Sequence, residues 1–356
     1  MEPHPERTSA SALPQSPAPA IRNEPALLSA LGERHMPTAG HFRREHFPVP
    51  AIDPAEWRLR IAGAVMTPAI FTLADLAALP SRSLAVVLEC AGHRRAELRP
   101  ATPGLQWEVG AVSEAHWTGT PLRWLLERSG VDPRAVEVVL AGTDRGPFEG
   151  SARTHSYARS LPLRKALDPD TILAYEMNGR PIAPEHGGPV RVIAPGWYAT
   201  DSVKWLERIH VSIDEFAGPF QAIDYRFAAA GDPGPGTRME RMPVHALVTD
   251  HAGAAGPAPG AARLRGIAWS GGGVITRVEV RVDDGPWTKA TIVARTGRYG
   301  RTFWEHGWEA VAGTHTIAVR ARDASGAVQP DEPIWNRRGY AVNAVQCINV
   351  TVKEVA

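Results

Sequence analysis

The sequence has very few cysteines, no long apolar run and no excess of either charge. Only Cys90 and Cys347 are cysteines among 356 residues, so a disulfide framework, a four-cysteine zinc site and an iron–sulfur cluster are excluded. No segment approaches the roughly 18 apolar residues that a membrane helix needs. The 39 basic and 38 acidic side chains leave a net charge of +1. We therefore expect neither a nucleic-acid partner nor a membrane partner.

The N-terminal residues 1–35 are rich in proline and have no apolar segment typical of a secretory signal. The pair Arg43-Arg44 is not followed by an apolar stretch, which argues against a twin-arginine export signal. We expect a disordered tail over 1–35. The expected location is cytoplasmic, or periplasmic if the true start of the protein lies upstream.

Residues 36–235 mix helical and strand patterns, and the 33 glycines and 32 prolines of the chain favour short elements. Thr72, followed by Asp75 at the third helical position, predicts the start of a short helix. The apolar run Leu84–Leu88 predicts a strand buried on both faces. A second helix is predicted from Pro121 to Gly130, and further strands over 136–140 and 190–193.

From about residue 242 the pattern becomes one of strands alone. Val278–Val282 alternates strictly and is followed by the turn signal Asp284-Gly285. Thr316–Arg322 alternates in the same way, and Ile348–Val352 predicts a last strand. The spacing predicts an immunoglobulin-like β-sandwich over 236–356, linked to the first domain through 228–236.

Cys90 follows the buried run directly and precedes the turn Ala91-Gly92-His93, a position where sites form in α/β domains. Arg94 and Arg95 are expected to lower the pKa of the thiol. The thiolate is either a nucleophile or a soft metal ligand, and the alternative is an inert buried cysteine. A zinc site with His93 would need two more ligands, and His116, His155 and His186 show no spacing that supplies them.

Several arginines lie in loop contexts, where Arg is well suited to bidentate capture of a tetrahedral oxyanion. They are Arg44, Arg94, Arg95, Arg191, Arg337 and Arg338. Any one of them can equally be a solvated surface side chain. Their clustering near Cys90 favours an anionic ligand.

Five segments, in order along the chain, together resemble the sulfite oxidase family. Leu88–Glu97 resembles the segment that ligates molybdenum in that family, which usually reads Cys-Ala-Gly-Asn-Arg-Arg after an apolar strand. The other four are Phe42–Pro50, Leu173–Gly179, the stretch from His186 to Leu206, and Trp335–Gly339. Several separate motifs in the correct order are more specific than one short match.

The resemblance implies an α+β protein, in which a mixed α/β molybdopterin-binding domain over 36–235 precedes an immunoglobulin-like dimerisation domain over 236–356. It implies a molybdenum–molybdopterin cofactor, with Cys90 as the protein ligand of the metal. Lys204 and Arg191 would contact the phosphate of the cofactor, and Asp144 its pterin N–H groups. The full set of implied cofactor-binding residues is Phe42, Arg43, Arg44, Glu45, His46, Cys90, Asp144, His186, Arg191, Ser202, Val203 and Lys204.

The resemblance also implies a pocket for a small oxyanion and a redox reaction. The implied catalytic residues are Cys90, Arg44, Arg95, Trp107, Tyr225 and Arg338. The implied reaction is oxidation of sulfite to sulfate by oxygen-atom transfer. Electrons would pass to a separate acceptor, such as a c-type cytochrome or oxygen, with no haem in the chain, and the protein is expected to be a homodimer.

Two positions depart from the usual pattern, because Glu45 and His93 stand where the family usually has asparagine. A carboxylate beside an anion pocket leaves other substrates open. The alternatives are the same cofactor acting on a sulfane sulfur, another S-oxide or nitrate, or a non-catalytic relative that keeps the fold.

Overall fold

The computed structural model describes residues 21–250 and 257–353. The strands of the first region are β1 (Asn23–Glu24), β2 (Arg43–Arg44), β3 (Leu59–Gly63), β4 (Ala69–Phe71), β5 (Arg82–Glu89), β6 (Val112–Pro121), β7 (Glu137–Pro147), β8 (Thr154–Pro162), β9 (Ile172–Met177), β10 (Arg180–Pro181), β11 (Arg191–Ile193), β12 (Leu206–Ser212), β13 (Arg226–Phe227) and β14 (Thr237–Arg238). Its helices are α1 (Leu28–Gly32), α2 (Leu73–Ala77), α3 (Leu122–Ser129), α4 (Leu163–Ala166) and α5 (Pro219–Ala222). Short 3-10 turns lie at Thr38–Gly40, Arg95–Glu97, Pro184–His186 and Ala199–Asp201.

Two five-stranded sheets form the first domain. One has the order β10-β9-β6-β5, with β11 also paired to β9, and the other has the order β4-β3-β12-β7-β8. The pairing of β12 with β3 is parallel, and the other described pairings within these two sheets are antiparallel. The last five residues of β5 are all buried, as the apolar run predicts for a strand packed on both faces.

The cap of α2 and the glycine that ends α3 act as the sequence predicts. Thr72 and Asp75 form a reciprocal capping box at the start of α2, with the Thr72 N–H donating to Asp75 Oδ2 at 2.8 Å. Helix α3 ends at Gly130, whose φ of 65° lies in the left-handed region that favours glycine.

The second domain is a sandwich of two four-stranded antiparallel sheets. Its strands are β15 (His245–Asp250), β16 (Gly260–Trp269), β17 (Ile275–Val282), β18 (Thr288–Lys289), β19 (Thr291–Arg295), β20 (Thr302–Ala310), β21 (Gly313–Asp323) and β22 (Gln346–Val352). The sheets have the orders β15-β16-β20-β19 and β18-β17-β21-β22, and buried aliphatic side chains from both form one core. The predicted fold class, a mixed α/β domain followed by a β-sandwich, is confirmed.

The prediction of a disordered tail is wrong for residues 21–35, and residues 1–20 lie outside the described part. Strand β1 pairs with β2, and Leu31 of helix α1 is fully buried. The carbonyl oxygen of Leu31 accepts a hydrogen bond from Arg301 of the second domain. Apolar side chains in this segment are therefore buried, although its proline-rich composition indicates disorder.

The predicted link 228–236 connects two paired strands. β13 and β14 form an antiparallel hairpin, so the predicted boundary at 235/236 falls just before β14. The loop at Tyr299 of the second domain covers the free edge of β5, where the Val87 N–H donates to the Tyr299 carbonyl at 2.9 Å. Within the described ranges, no helix is long and apolar enough to cross a membrane.

Candidate active site

Cys90 is held by its backbone at the end of β5. Its N–H donates to the Ala111 carbonyl at 2.9 Å, and its carbonyl accepts from the His93 N–H at 2.9 Å. A Cβ on Gly92 would lie 2.7 Å from Arg95 Nη2, so a larger residue there would displace the Arg95 guanidinium from its hydrogen bond to Leu105. Strand, turn and glycine together place the sulfur where two cavities meet.

The first cavity, here called the cofactor cavity, encloses about 670 Å³ of space between atoms, part of it open to solvent. Ten of the residues assigned to the cofactor line it: Phe42, Arg43, Arg44, His46, Cys90, Asp144, His186, Arg191, Ser202 and Lys204. They come from β2 and its flanking residues, the end of β5, β7, β11 and the loops around the 3-10 turns at Pro184 and Ala199. Separate parts of the chain therefore converge on one cavity.

Glu45 and Val203 are the two assigned residues that do not line this cavity. The Glu45 carboxylate is 1% exposed and accepts from Arg43 Nη2 at 2.7 Å and from the Arg22 N–H at 2.8 Å. Its charge is thus paired, and the carboxylate lines neither cavity. Val203 is buried, and its carbonyl accepts from the Val192 N–H, so its contribution is to the backbone.

Several buried polar atoms on this cavity have no protein partner. They are His41 Nε2, Arg43 Nε, Asp144 Oδ1 and Arg191 Nε. Buried polar atoms are normally paired, so these point to a ligand rich in hydrogen-bonding groups. A pterin with a phosphate tail offers both acceptors and N–H donors, and the residues present fit that group.

The charges on the cofactor cavity favour an anion. Burial and the nearby Arg191 lower the pKa of Lys204 to about 7, and burial lowers the pKa of Arg191 itself to about 9. Burial raises the pKa of Asp144 to about 7. Burial disfavours the positive charges of Lys204 and Arg191, and a bound phosphate group stabilises them. The carboxyl of Asp144 suits N–H donors of a heterocycle.

The expectation that Arg94 and Arg95 lower the pKa of Cys90 is wrong as a net effect. Burial raises the pKa of the thiol, while Arg44, the Gly92 N–H and Arg95 oppose the rise. The Arg94 guanidinium turns away from the sulfur and pairs with the Glu97 carboxylate at 2.6 and 2.7 Å. A thiol with a raised pKa is a weak free nucleophile, so the site suits a sulfur ligated to a metal ion.

The second cavity, here called the substrate cavity, is wider and open, with about 1760 Å³ of space between atoms. All six residues predicted to be catalytic line it: Cys90, Arg44, Arg95, Trp107, Tyr225 and Arg338. Arg95 is held rigidly, with Nε donating to the Arg338 carbonyl at 3.1 Å and Nη1 to the Leu105 carbonyl at 2.9 Å. The three predicted arginines therefore line one opening, together with Arg226 and Arg337.

Arg44, Cys90 and Tyr225 line both cavities and mark their junction. Tyr225 adopts a left-handed φ of 48° and stacks on Tyr340 with ring centroids 5.3 Å apart. Its hydroxyl lies 2.7 Å from His46 Nε2. Burial raises the pKa of Tyr225, so the phenol stays protonated and can hydrogen-bond to an anion.

Sequence reasoning missed several residues of the cofactor cavity. They are His41, Leu88, Tyr157, Glu185, Ala199, Thr200 and Trp205. His41 directly precedes the motif that begins at Phe42, so a wider window would have included it. Tyr157 comes from β8 and carries no sequence signal, because only the sheet order brings it to the cavity.

A zinc site at Cys90 and His93 does not form. Both ring nitrogens of His93 lack a partner, and no group of three or more potential metal-ligating side chains occurs among residues 21–250 and 257–353. The three histidines considered as further ligands lie on different elements, and of them only His186 lines the cofactor cavity.

Two family models match the chain. The oxidoreductase molybdopterin-binding domain matches residues 46–220, and the Mo-co oxidoreductase dimerisation domain matches 241–353. The chain is therefore a molybdopterin-dependent oxidoreductase in its domain composition, and the geometry of the cofactor cavity agrees with that class.

Curated relatives name the family more closely. The chain is 37% identical to chicken sulfite oxidase over 339 residues, covering 88% of this chain and 72% of that protein. It is 35% identical to the fly mitochondrial sulfite oxidase, of whose length it spans 61%. This chain belongs to the sulfite oxidase family.

Two other similarities bear on the substrate. A tomato NADH nitrate reductase is 34% identical, with 86% of this chain and 37% of that protein covered. Among solved structures, the sulfane dehydrogenase SoxCD of Paracoccus pantotrophus matches with a TM-score of 0.80 and 27% identity, covering 98% of this chain and 90% of that one.

Proposed function

We propose that this chain oxidises sulfite to sulfate, with a molybdenum–molybdopterin group in the cofactor cavity and the anion in the substrate cavity. The observation that carries the proposal is the junction at Cys90. The only cysteine beside these cavities lies where both meet, and Arg44, Arg95 and Arg338 line the side from which an anion would arrive. Sulfite oxidase relatives at 35–37% identity support the substrate.

The cofactor, when bound, supplies a metal that transfers an oxygen atom and takes up two electrons. The residues of the chain do the rest. The Cys90 thiolate holds the metal as a soft donor, while Lys204 and Arg191 neutralise the phosphate and Asp144 accepts from the heterocycle. These contacts hold the reactive end at the junction of the cavities.

The substrate cavity binds and orients the anion. Arg44, Arg95 and Arg338 supply charge-assisted hydrogen bonds to sulfite oxygens, which leaves the sulfur lone pair free to point towards the junction. The protonated Tyr225 hydroxyl donates to an oxygen at that same junction. Product sulfate leaves through the open side of the cavity.

Electron transfer and assembly complete the proposal. The two electrons pass to a separate acceptor, a c-type cytochrome or oxygen. The chain forms a homodimer through the second domain, which matches the dimerisation family.

A single experiment tests the substrate. Protein expressed in a host that makes the cofactor is assayed for molybdenum, then mixed with sulfite or a sulfane sulfur compound or, after prior reduction, with nitrate, and its metal signal is followed by electron paramagnetic resonance. Sulfite is expected to change the metal signal. With an artificial acceptor present, the protein is also expected to oxidise sulfite over many turnovers. Loaded protein that responds only to another compound would reject sulfite.

Sulfane sulfur is the second candidate, favoured by the similarity to the sulfane dehydrogenase over nearly the whole chain. The same panel distinguishes it. A molybdenum content below about 0.1 per chain in the competent host would instead favour a non-catalytic role.

A further inference from the structure

Four buried side chains form a cluster behind Cys90, here called the interdomain cluster: Glu89, His93, His245 and Trp269. Glu89 is the last residue of β5 and His93 belongs to the turn after Cys90, whereas His245 begins β15 and Trp269 ends β16. Each side chain is at most 1% exposed. The cluster lies where the two domains meet, and nothing in the proposed reaction uses it.

The carboxylate of Glu89 is held by the second domain. Trp269 Nε1 donates to Glu89 Oε2 at 2.8 Å, across 180 positions of the chain. His245 Nε2 lies 3.1 Å from Glu89 Oε1, a close electrostatic contact without the alignment of a hydrogen bond. A buried carboxylate needs such partners, because an unpaired buried charge is costly.

The aromatic rings hold these partners in place. His245 stacks on Trp269 with ring centroids 4.9 Å apart and an angle of 7° between the planes. The two residues are paired neighbours on β15 and β16. His93 packs edge-on against His245 at 5.5 Å, which ties the turn after Cys90 to the same stack.

Glu89 is one peptide bond from the ligand cysteine, in an interior where charges are weakly screened. A carboxylate at this position adds negative potential at the neighbouring sulfur. The Trp269 N–H donates to this carboxylate and so reduces the part of its charge that reaches the sulfur, and the stacked His245 ring holds Trp269 in place. Partners of this kind around a ligand tune the metal it holds.

We propose that Trp269 and His245 are positioning residues of the second domain that, by holding the Glu89 carboxylate, set the electron-donating strength of the Cys90 thiolate and so the reduction potential of the bound metal. The proposal rests on the proposed cofactor but not on the substrate. It makes the second domain part of the redox centre, although no atom of the interdomain cluster lines either cavity.

The test measures the metal's reduction potential in the loaded protein and three variants. Trp269→Phe leaves the carboxylate less compensated, so the potential is expected to fall, because added negative charge favours the oxidised metal. Glu89→Gln removes the charge and is expected to raise the potential. The double variant is expected to behave like Glu89→Gln, because no carboxylate remains for Trp269 to hold.

Trp304→Phe is the matched control. Trp304 is also 1% exposed in the second domain, but its Nε1 donates to the Ile267 carbonyl. Its loss is expected to lower the melting temperature without shifting the potential. If Trp269→Phe does not fold, His245→Gln replaces it, with a fall in potential again expected.

The outcomes separate this proposal from the proposed function. Shifts of the same sign in Trp269→Phe and Glu89→Gln, or no shift in either, would overturn the proposal, even where melting temperatures fall. Loaded protein that ignores sulfite but shows the opposed shifts would reject only the substrate. Wild-type protein without molybdenum would reject both.

Discussion

At the level of single residues, backbone constraints position Cys90 while distant side chains determine its surroundings. The hydrogen bonds to Ala111 and His93 place the sulfur at the cavity junction, and the absence of a side chain at Gly92 leaves room for the Arg95 guanidinium. Arg95 and Arg338 come together only through the contact between their loops. Single substitutions therefore have separable effects on cofactor and substrate.

Cys90→Ser is expected to abolish turnover while the melting temperature changes little. A hydroxyl is a poor substitute for a soft thiolate donor, whereas the two side chains are similar in size. The measurements are sulfite turnover, molybdenum content and thermal unfolding. Cys347→Ser is the control, because Cys347 is exposed and its loss is expected to leave all three unchanged; near-normal activity in Cys90→Ser would contradict the assignment.

Arg338→Gln is expected to raise the KM for sulfite about tenfold or more, since a hydrogen bond to a charged group contributes about 1.5–3 kcal/mol. Molybdenum content is expected to stay at the wild-type level. Arg337→Gln is the comparison, because its guanidinium already donates to the Asp232 and Gly234 carbonyls, so a smaller rise is expected. Loss of molybdenum in Arg338→Gln would instead assign this residue to the cofactor.

Lys204 gives the cofactor-free protein a pH-dependent stability. Its pKa is lowered to about 7 from 10.5, so between these values the unfolded chain binds a proton that the folded chain has released. The free energy of unfolding of the wild type relative to Lys204→Met is expected to rise with pH, by about 1.4 kcal/mol per unit from pH 7 to 10.

Urea denaturation at several pH values measures this slope for the wild type and the variant. Cofactor-loaded protein is expected to show a shallower slope, because a phosphate beside Lys204 returns its pKa towards the usual value. Equal slopes for the wild type and Lys204→Met without cofactor would refute the assignment.

At the level of elements, the strands and helices follow local signals closely. Four of the predicted strands fall within β5, β17, β21 and β22, and the predicted runs 136–140 and 190–193 overlap β7 and β11 at all but their first residue. Of the two predicted helices, α2 begins after its Thr72 cap and α3 ends before Gly130 as predicted, whereas α3 begins at Leu122 with Pro121 as its N-cap. The exception is the segment before residue 36, where apolar residues pack despite a loose composition.

Thr72→Ala is expected to lower the free energy of unfolding by about 1 kcal/mol, because it removes the capping box of α2. The capping contacts are exposed and line none of the cavities of the site. The kcat/KM for sulfite is therefore expected to stay unchanged. Chemical denaturation and steady-state kinetics check both parts, and a loss of activity at unchanged stability would contradict this view of α2.

At the level of the whole molecule, the two domains share contacts that support the site. Arg301, the residue directly before β20, is 1% exposed. Its guanidinium pairs with the Glu114 carboxylate of β6 at 3.3 Å and donates a hydrogen bond to the Leu31 carbonyl. One side chain thus joins the sandwich, the first sheet and the N-terminal helix. The interdomain cluster makes a second connection, directly behind Cys90.

Arg301→Met is expected to lower the free energy of unfolding by about 3–5 kcal/mol, because it leaves the Glu114 carboxylate buried without its cation. Arg263→Met is the control. Its pair with Glu305 at 3.0 Å is largely exposed, so a loss below about 1 kcal/mol is expected. Urea denaturation of both variants makes the comparison, and similar small losses would mean that the buried pair is not needed.

The sequence by itself determined the fold class, the position of Cys90 and most of the cofactor-cavity residues. These features depend on strand periodicity, helix caps and motifs within a few neighbouring residues, so they can be seen without knowing the packing. Cys90 was found at the end of an apolar run, whereas the cofactor residues in the segments 42–46 and 202–204 were assigned through their resemblance to motifs of the sulfite oxidase family.

The tertiary structure decided which of these side chains meet and which charges are compensated. It turned Arg94 and Glu45 away from the site, raised the pKa of the Cys90 thiol by burial and brought Tyr157 to the cofactor cavity. It also placed Trp269 against Glu89. Such contacts join residues far apart in the chain, and burial depends on how both domains pack, so no local pattern encodes them.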